Sequence, residues 1–138
     1  MIVNNDSCAL ILKQLFFEKI EFRRIGNKNN NELELGIQVV VQKNMIDDSF
    51  KVMLKVIGNK KDEYTLDVQL SGIFSIDDKE KLNDEAKSNL IDKNAVAIMM
   101  PYMRSQLTLL TSQPGVDSVV LPPFNINRMM EHNKKDDD

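Results

Sequence analysis

The sequence predicts an α+β fold: one antiparallel sheet of four strands, packed with a long helix and a short C-terminal helix. Three observations predict it. Four segments carry apolar residues that alternate with period two, short turn-forming links join the last three of them, and a later stretch has apolar residues at helical spacing. At 138 residues the chain fits a single domain large enough to bury a core. That domain is expected to span 1–138, with an ordered core over about 12–132 and flexible tails at 1–11 and 133–138.

The first strand, from about Gln14 to Ile25, is the least regular: Phe16, Ile20 and Phe22 share a face that also holds Glu18 and Arg24. In the second, Leu33, Leu35, Ile37, Val39 and Val41 point one way against Glu34, Gln38 and Gln42. The third sets Phe50, Val52, Leu54 and Val56 against Lys51 and Lys55, and the fourth sets Tyr64, Leu66, Val68 and Leu70 against Thr65, Asp67 and Gln69. Asn44 to Ser49 and the turn-forming Gly58 to Asp62 join the last three strands, which favours an antiparallel meander. The link from Gly26 to Asn31 is polar and reads as mobile. A sheet with one apolar face must cover it, and the helices are the available cover. On the opposite face Val40, Met53, Ile57 and Phe17 lie among charges, either as scattered surface residues or as a second contact surface.

After Ile76 a charged crossover, Asp77 to Lys81, leads into an Asn/Lys/Asp-rich stretch. Asn94 is the expected N-cap of a helix running through Gln113, with Val96, Met99, Met100, Met103, Leu107, Leu109 and Leu110 near helical spacing. Pro101 is expected to kink this helix or mark a second start, and Pro114-Gly115 to end it. Pro122-Pro123 then precedes a short helix from about Asn125 to His132. Five of the eight methionines lie in these helices. A methionine stripe reads first as core, although flexible thioethers also suit surfaces that repack around varied partners.

The composition narrows the function. A net charge of −3 with no basic block argues against nucleic-acid binding. No segment approaches the roughly 20 apolar residues that span a bilayer, and Met1 to Asp6 lacks a signal peptide's basic start, so no membrane insertion is expected. Cys8 is the lone cysteine, which fits a reducing compartment, and the cytoplasm is the expected location. No enzyme is expected either. His132 lies near the chain end without an orienting partner, Cys8 has no histidine near it in sequence, and no HExxH, paired CxxC or phosphate-binding glycine loop occurs. No cofactor and no metal site are expected.

Three motifs remain that catalysis does not need: Gly72-Ile73-Phe74-Ser75-Ile76, Met100-Pro101-Tyr102-Met103-Arg104 and Leu121-Pro122-Pro123-Phe124-Asn125. In that order they resemble the SecB family of export chaperones, whose chains carry a GIFSI-type strand end, a PYAR-type helix segment and a Pro-Asn-Phe-type turn. The likeness covers roughly Leu15 to Met130 at modest identity.

The resemblance implies a chaperone that binds unfolded polypeptides or preproteins in apolar grooves. It places the client-binding groove near Phe74, Met99, Tyr102, Met103, Phe124, Met129 and Met130. It also implies a homotetramer built as a dimer of dimers, with Leu66, Val68 and Leu70 at positions that support assembly. Family members dock the export motor SecA through acids on the outer sheet face, and Asp67 keeps one such charge as the candidate SecA-facing residue. Lys19 and Arg23 stand where other family acids lie, and the crossover after the first strand is short, Asn-rich and without tryptophan. These departures lean toward a SecB-like chaperone dedicated to an antitoxin of a toxin–antitoxin system, or toward a SecB-like protein with looser ties to export. A different class, an adaptor that spends its apolar faces on one fixed protein partner, is distinguished by leaving no apolar surface open after assembly.

Overall fold

The computed structural model describes residues 2–5, 8–44, 46–78 and 83–121. The chain forms strands β1 (Ile2–Asn5), β2 (Cys8–Arg24), β3 (Leu33–Lys43), β4 (Phe50–Lys60) and β5 (Tyr64–Asp78), followed by helix α1 (Asp84–Thr111). The four expected strands are present and pair antiparallel. A fifth, β1, pairs with β2 from Ile2↔Ile11 to Asn5↔Cys8, so the segment expected as a flexible N-terminal tail adds an edge hairpin. The short C-terminal helix and the 133–138 tail lie outside the described residues.

The sheet order is β1-β2-β5-β4-β3. Only β3, β4 and β5 form a meander; β2 pairs with β5 across the sheet, which is a Greek-key arrangement. The crossover from β2 to β3 must therefore pass over the end of the sheet, at the tip of the β4–β5 hairpin. The link that reads as mobile in the sequence is bonded there. Ile25 and Gly26 donate their backbone N–H groups to the Glu63 carbonyl, and the side-chain amides of Asn29 and Asn31 both donate to the Lys61 carbonyl at 2.9 and 2.8 Å. The approach is so close that a Cβ at Gly26 would collide with the Asp62 carbonyl.

The inner faces of β4 and β5 are as the alternation predicts. Phe50, Val52, Leu54, Val56, Tyr64, Leu66, Val68 and Leu70 are buried, and the inner residues of β3 are half-buried. β2 departs from the prediction. Two bulges, between Leu12 and Gln14 and between Phe17 and Lys19, each insert one residue and switch the side-chain parity. Phe17 therefore pairs with Leu70 on the inner face, together with Ile20 and Phe22, while Phe16 pairs with Ser71 on the outer face. Glu18, the bulged residue, points outward and meets Lys51 at 2.7 Å and Ser71 at 3.0 Å.

Two glycines serve packing where the sequence suggests a turn or a strand end. The hairpin turn is Lys61-Asp62-Glu63, with Asp62 in the left-handed region (φ 62°), and Gly58 lies inside β4, where Leu66 and Leu35 occupy the space of a Cβ. Gly72 lies mid-strand in β5 beneath the helix. A Cβ there would stand 2.7 Å from the Phe74 ring and 3.1 Å from the Met99 sulfur. Gly72→Ala is expected to cost about 1–3 kcal/mol through overpacking, read as a lower urea midpoint at unchanged slope.

Helix α1 starts ten residues before the expected N-cap. Asn83 is the cap, its side-chain oxygen accepting from the Ala86 N–H at 2.7 Å, and Asp84 and Glu85 place negative charge at the positive end of the helix. Asn94 lies within the helix and donates its amide to the Leu90 carbonyl. The helix continues through Pro101, which is exposed, and ends at Thr111, ahead of Pro114-Gly115. Its buried face runs from Leu90 and Ile91 through Ala95, Met99 and Met103 to Leu107 and lies on the inner face of the sheet, closing a single core.

Candidate functional site

The residues of the expected groove separate by the side of α1 on which they lie. Met99 and Met103, one turn apart, face the sheet. The Met99 sulfur and the Phe74 ring both crowd Gly72, and all three side chains are fully buried. They fasten the helix to the sheet. Tyr102 faces the other way and is 42% exposed. Phe124, Met129 and Met130 lie outside the described residues. Leu66, Val68 and Leu70, the positions implied for assembly, are buried under the chain's own helix, so their contacts are within the chain.

The free side of α1 carries an apolar feature that residue spacing did not single out. After Thr111 the chain turns at Pro114-Gly115 and runs back along the last turns of the helix. Thr108 donates its hydroxyl to the Val119 carbonyl, and the Val119 N–H donates to the Thr111 hydroxyl, both at 2.8 Å. An open cleft of about 460 Å³ lies between helix and return segment. Arg104, Ser105 and Leu109 line it on the helix side, and Val120 and Leu121 line it on the return side. Leu109 is 69% exposed and Val120 75%. The signal was legible in principle: in the pairs Leu109-Leu110 and Val119-Val120, adjacent residues cannot all face one core. The Arg104 Nε is buried and has no partner among the described residues.

The return segment is tied to the same end of the sheet as the crossover. Arg24 donates to the carbonyls of Gly26 and Gly115, and Lys28 meets Asp117 at 2.8 Å. At the centre Glu63 is fully buried, accepting from Lys60 and from the Asn29 N–H, both at 2.8 Å. The Lys60 ammonium and the Asn29 N–H hold the Glu63 carboxyl below the usual range against the opposing effect of burial.

The outer sheet face carries Phe16, Met53 and Val40 in one row across β2, β4 and β3, with Ser71 of β5 between Phe16 and Met53. Glu18, Glu21 and Asp67 on this face are paired. Asp67 meets Lys19 at 2.8 Å, and Lys19 also reaches Glu21 at 3.6 Å. Burial pushes the Asp67 carboxyl up, and Lys19 outweighs it, leaving the group below its ordinary value. Lys51 and Ser71 lower that of Glu18. Among the described residues no cluster of three or more His, Cys, Asp and Glu side chains fits a metal ion, and no helix is long and apolar enough to cross a membrane.

Comparison with known proteins agrees with this architecture. The family profile described as "SecB: Preprotein translocase subunit SecB" matches residues 8–137. An uncharacterized protein of Methanocaldococcus jannaschii is 26% identical over 132 residues, covering 89% of this chain and 83% of that protein. The protein-export protein SecB of Anaplasma phagocytophilum is 23% identical over 83 residues, a match that spans 60% of this chain and about half (52%) of that protein. Among solved structures, the SecB-like chaperone of Mycobacterium tuberculosis, in complex with a peptide from the HigA1 antitoxin, has a TM-score of 0.70. It is 12% identical, and the match covers 84% of this chain and 91% of that one.

Proposed function

Since the chain belongs to the SecB family, we propose that it is a chaperone that holds polypeptides before they fold and keeps them soluble for export or for a partner. The observation that carries this reading is the family match over nearly the whole chain. The apolar side chains left open on the free side of α1 support it, because a holding surface must stay uncovered when the chain's own core is complete. The client-binding surface comprises Tyr102, the cleft walls at Leu109 and Val120, and Phe124, Met129 and Met130, which follow Leu121 in sequence. Phe74, Met99 and Met103 serve it from beneath, by holding α1 in place. Recognition rests on many small apolar burials of about 25 cal/mol per Å², so no single contact dominates. Assembly as a homotetramer, a dimer of dimers, belongs to the same reading.

A second reading is a chaperone dedicated to an antitoxin. The fold's likeness to a SecB-like chaperone bound to an antitoxin peptide favours it, and so does the pairing of Lys19 with Asp67 and Glu21, which leaves neither of these two acids free for a SecA-facing surface. The deciding experiment is a calorimetric titration of the purified protein with a chemically unfolded polypeptide and with its folded form. Selective uptake of the unfolded form is the expected result. Indifference to both would leave an adaptor with one fixed partner. A client range restricted to one antitoxin would select the second reading.

A further inference from the structure

We propose that the return segment 112–121 is an autoinhibitory strap: it lies in a site that reads the backbone of an extended apolar peptide, and a client segment takes that site when the strap lifts. The inference deepens the chaperone reading and rests on it for the nature of the ligand. The strap is irregular and has no place in the sheet, and side chains of α1 hold it. Both bonds at Val119 are to its backbone: the N–H donates to the Thr111 hydroxyl and the carbonyl accepts from Thr108, each at 2.8 Å. Thr111 is fully buried and gives its own proton to the Leu107 carbonyl at 2.8 Å, which leaves its oxygen turned to accept. Two such hydroxyls meet the N–H and C=O that every residue except proline carries, so they are indifferent to side chains. The side chains seated beside them are apolar. Val116 and Val119 pack on the core and Leu121 is buried, while Asp117, Ser118 and Val120 are exposed. An extended chain with apolar residues on its inner side is also the ligand that a holding chaperone must take. The fastening at the other end is weak. Lys28 and Asp117 meet at 2.8 Å, but their side chains are 54% and 71% exposed, and such pairs contribute little and are screened by salt. Arg24 adds a 3.3 Å bond to the Gly115 carbonyl. The strap is therefore fixed at the helix and loosely tied at the crossover, and the open cleft beside Leu109 is the part of the site that it leaves uncovered.

The test uses the full chain and a labelled peptide of the strap's own sequence, residues 113–121, with binding followed by fluorescence anisotropy. The tethered strap competes at a local concentration of about millimolar, so the peptide binds in proportion to how often the strap is lifted. Lys28→Glu sets two carboxylates against each other at the crossover. It should raise the affinity for the peptide and for a chemically unfolded polypeptide about threefold, and added salt should shrink that gain. Adding Asp117→Lys re-forms the pair and should restore the wild-type affinity. A second variant locks the strap. The Ser112 and Ser118 hydroxyls meet at 3.1 Å, so Ser112→Cys with Ser118→Cys, in a Cys8→Ser background, brings two thiols within disulfide reach. The oxidised form should bind both ligands about tenfold more weakly than the reduced form, because its strap cannot lift. The proposal is overturned if the oxidised and reduced forms bind alike, or if Lys28→Glu binds neither ligand more tightly. Unfolded polypeptide held equally by both forms would keep the chaperone reading and remove the strap. Strap-peptide binding that follows the lock, in a chain that ignores unfolded polypeptide, would remove the chaperone reading and leave the strap site standing.

Discussion

A chain carrying Met99→Ser and Met103→Ser together is expected to lose its cooperative fold, and with it every binding activity. Both side chains are fully buried on the sheet-facing side of α1, and the Met99 sulfur shares the space over Gly72 with the Phe74 ring. Truncating a buried methionine costs about 2–5 kcal/mol, and a buried hydroxyl without a partner adds about 1–3 kcal/mol. The two sites are one turn apart, so their costs do not sum strictly, yet the total rivals the roughly 5–15 kcal/mol that holds a typical domain together. Circular dichroism on heating should show no cooperative transition. A variant that melts cooperatively near the wild-type midpoint would show that α1 does not rest on these residues. The contrasting pair is Tyr102→Ser with Leu109→Ser. Both are exposed, so the fold should survive while the capture of unfolded polypeptide weakens.

Glu63→Ala is expected to loosen the whole crossover end of the sheet. The substitution leaves Lys60, 8% exposed, without its counter-ion and leaves the Asn29 N–H without its acceptor. A buried charge stripped of its partner is strongly destabilising, whereas the intact pair is close to neutral against an apolar replacement. The expected readings are a lower denaturation midpoint and faster amide exchange over 25–32. Unchanged exchange there would mean that the Asn29 and Asn31 side chains hold the crossover without Glu63. The pH dependence follows from the lowered carboxyl. Its folded-state pKa lies below the unfolded value of about 4.3, so its contribution is complete above that value. The contribution is lost as the pH falls through the folded-state pKa. Wild type and Glu63→Gln should therefore differ most near neutrality and converge in acid. Glu18, Asp67 and Asp117 are lowered in the same direction, so the variant still weakens in acid, by a smaller amount.

The strands were legible in the sequence because a half-buried strand must alternate apolar and polar residues. β3, β4 and β5 begin where the alternation begins. β2 was misread at Phe16 and Phe17 because a bulge adds one residue without changing the composition, so parity beyond it can be known only from pairing with β5. The first turns of α1 were hidden for a related reason. From Asp84 to Asn89 the helix touches the core little, no apolar stripe is required there, and a polar helix and a polar loop are written alike. The Asn-rich crossover is hidden in the same way: it reads as a mobile polar link, but the side-chain amides of Asn29 and Asn31 both donate to the Lys61 carbonyl at a hairpin tip about thirty residues away.

Of the site, the sequence supplied the family motifs and the apolar residues of α1, but not which of them are open. Alternation and helical spacing are local properties, set by the geometry of one strand or one helix, and those the sequence determined: the α+β class, the inner faces of β3 to β5, and the helix that covers them. Burial on a given side of α1, the Greek-key return of β2 and the cleft at Arg104 arise from elements far apart in sequence meeting in space. Only the tertiary structure decided them, because a side chain's exposure depends on what the rest of the chain has already covered.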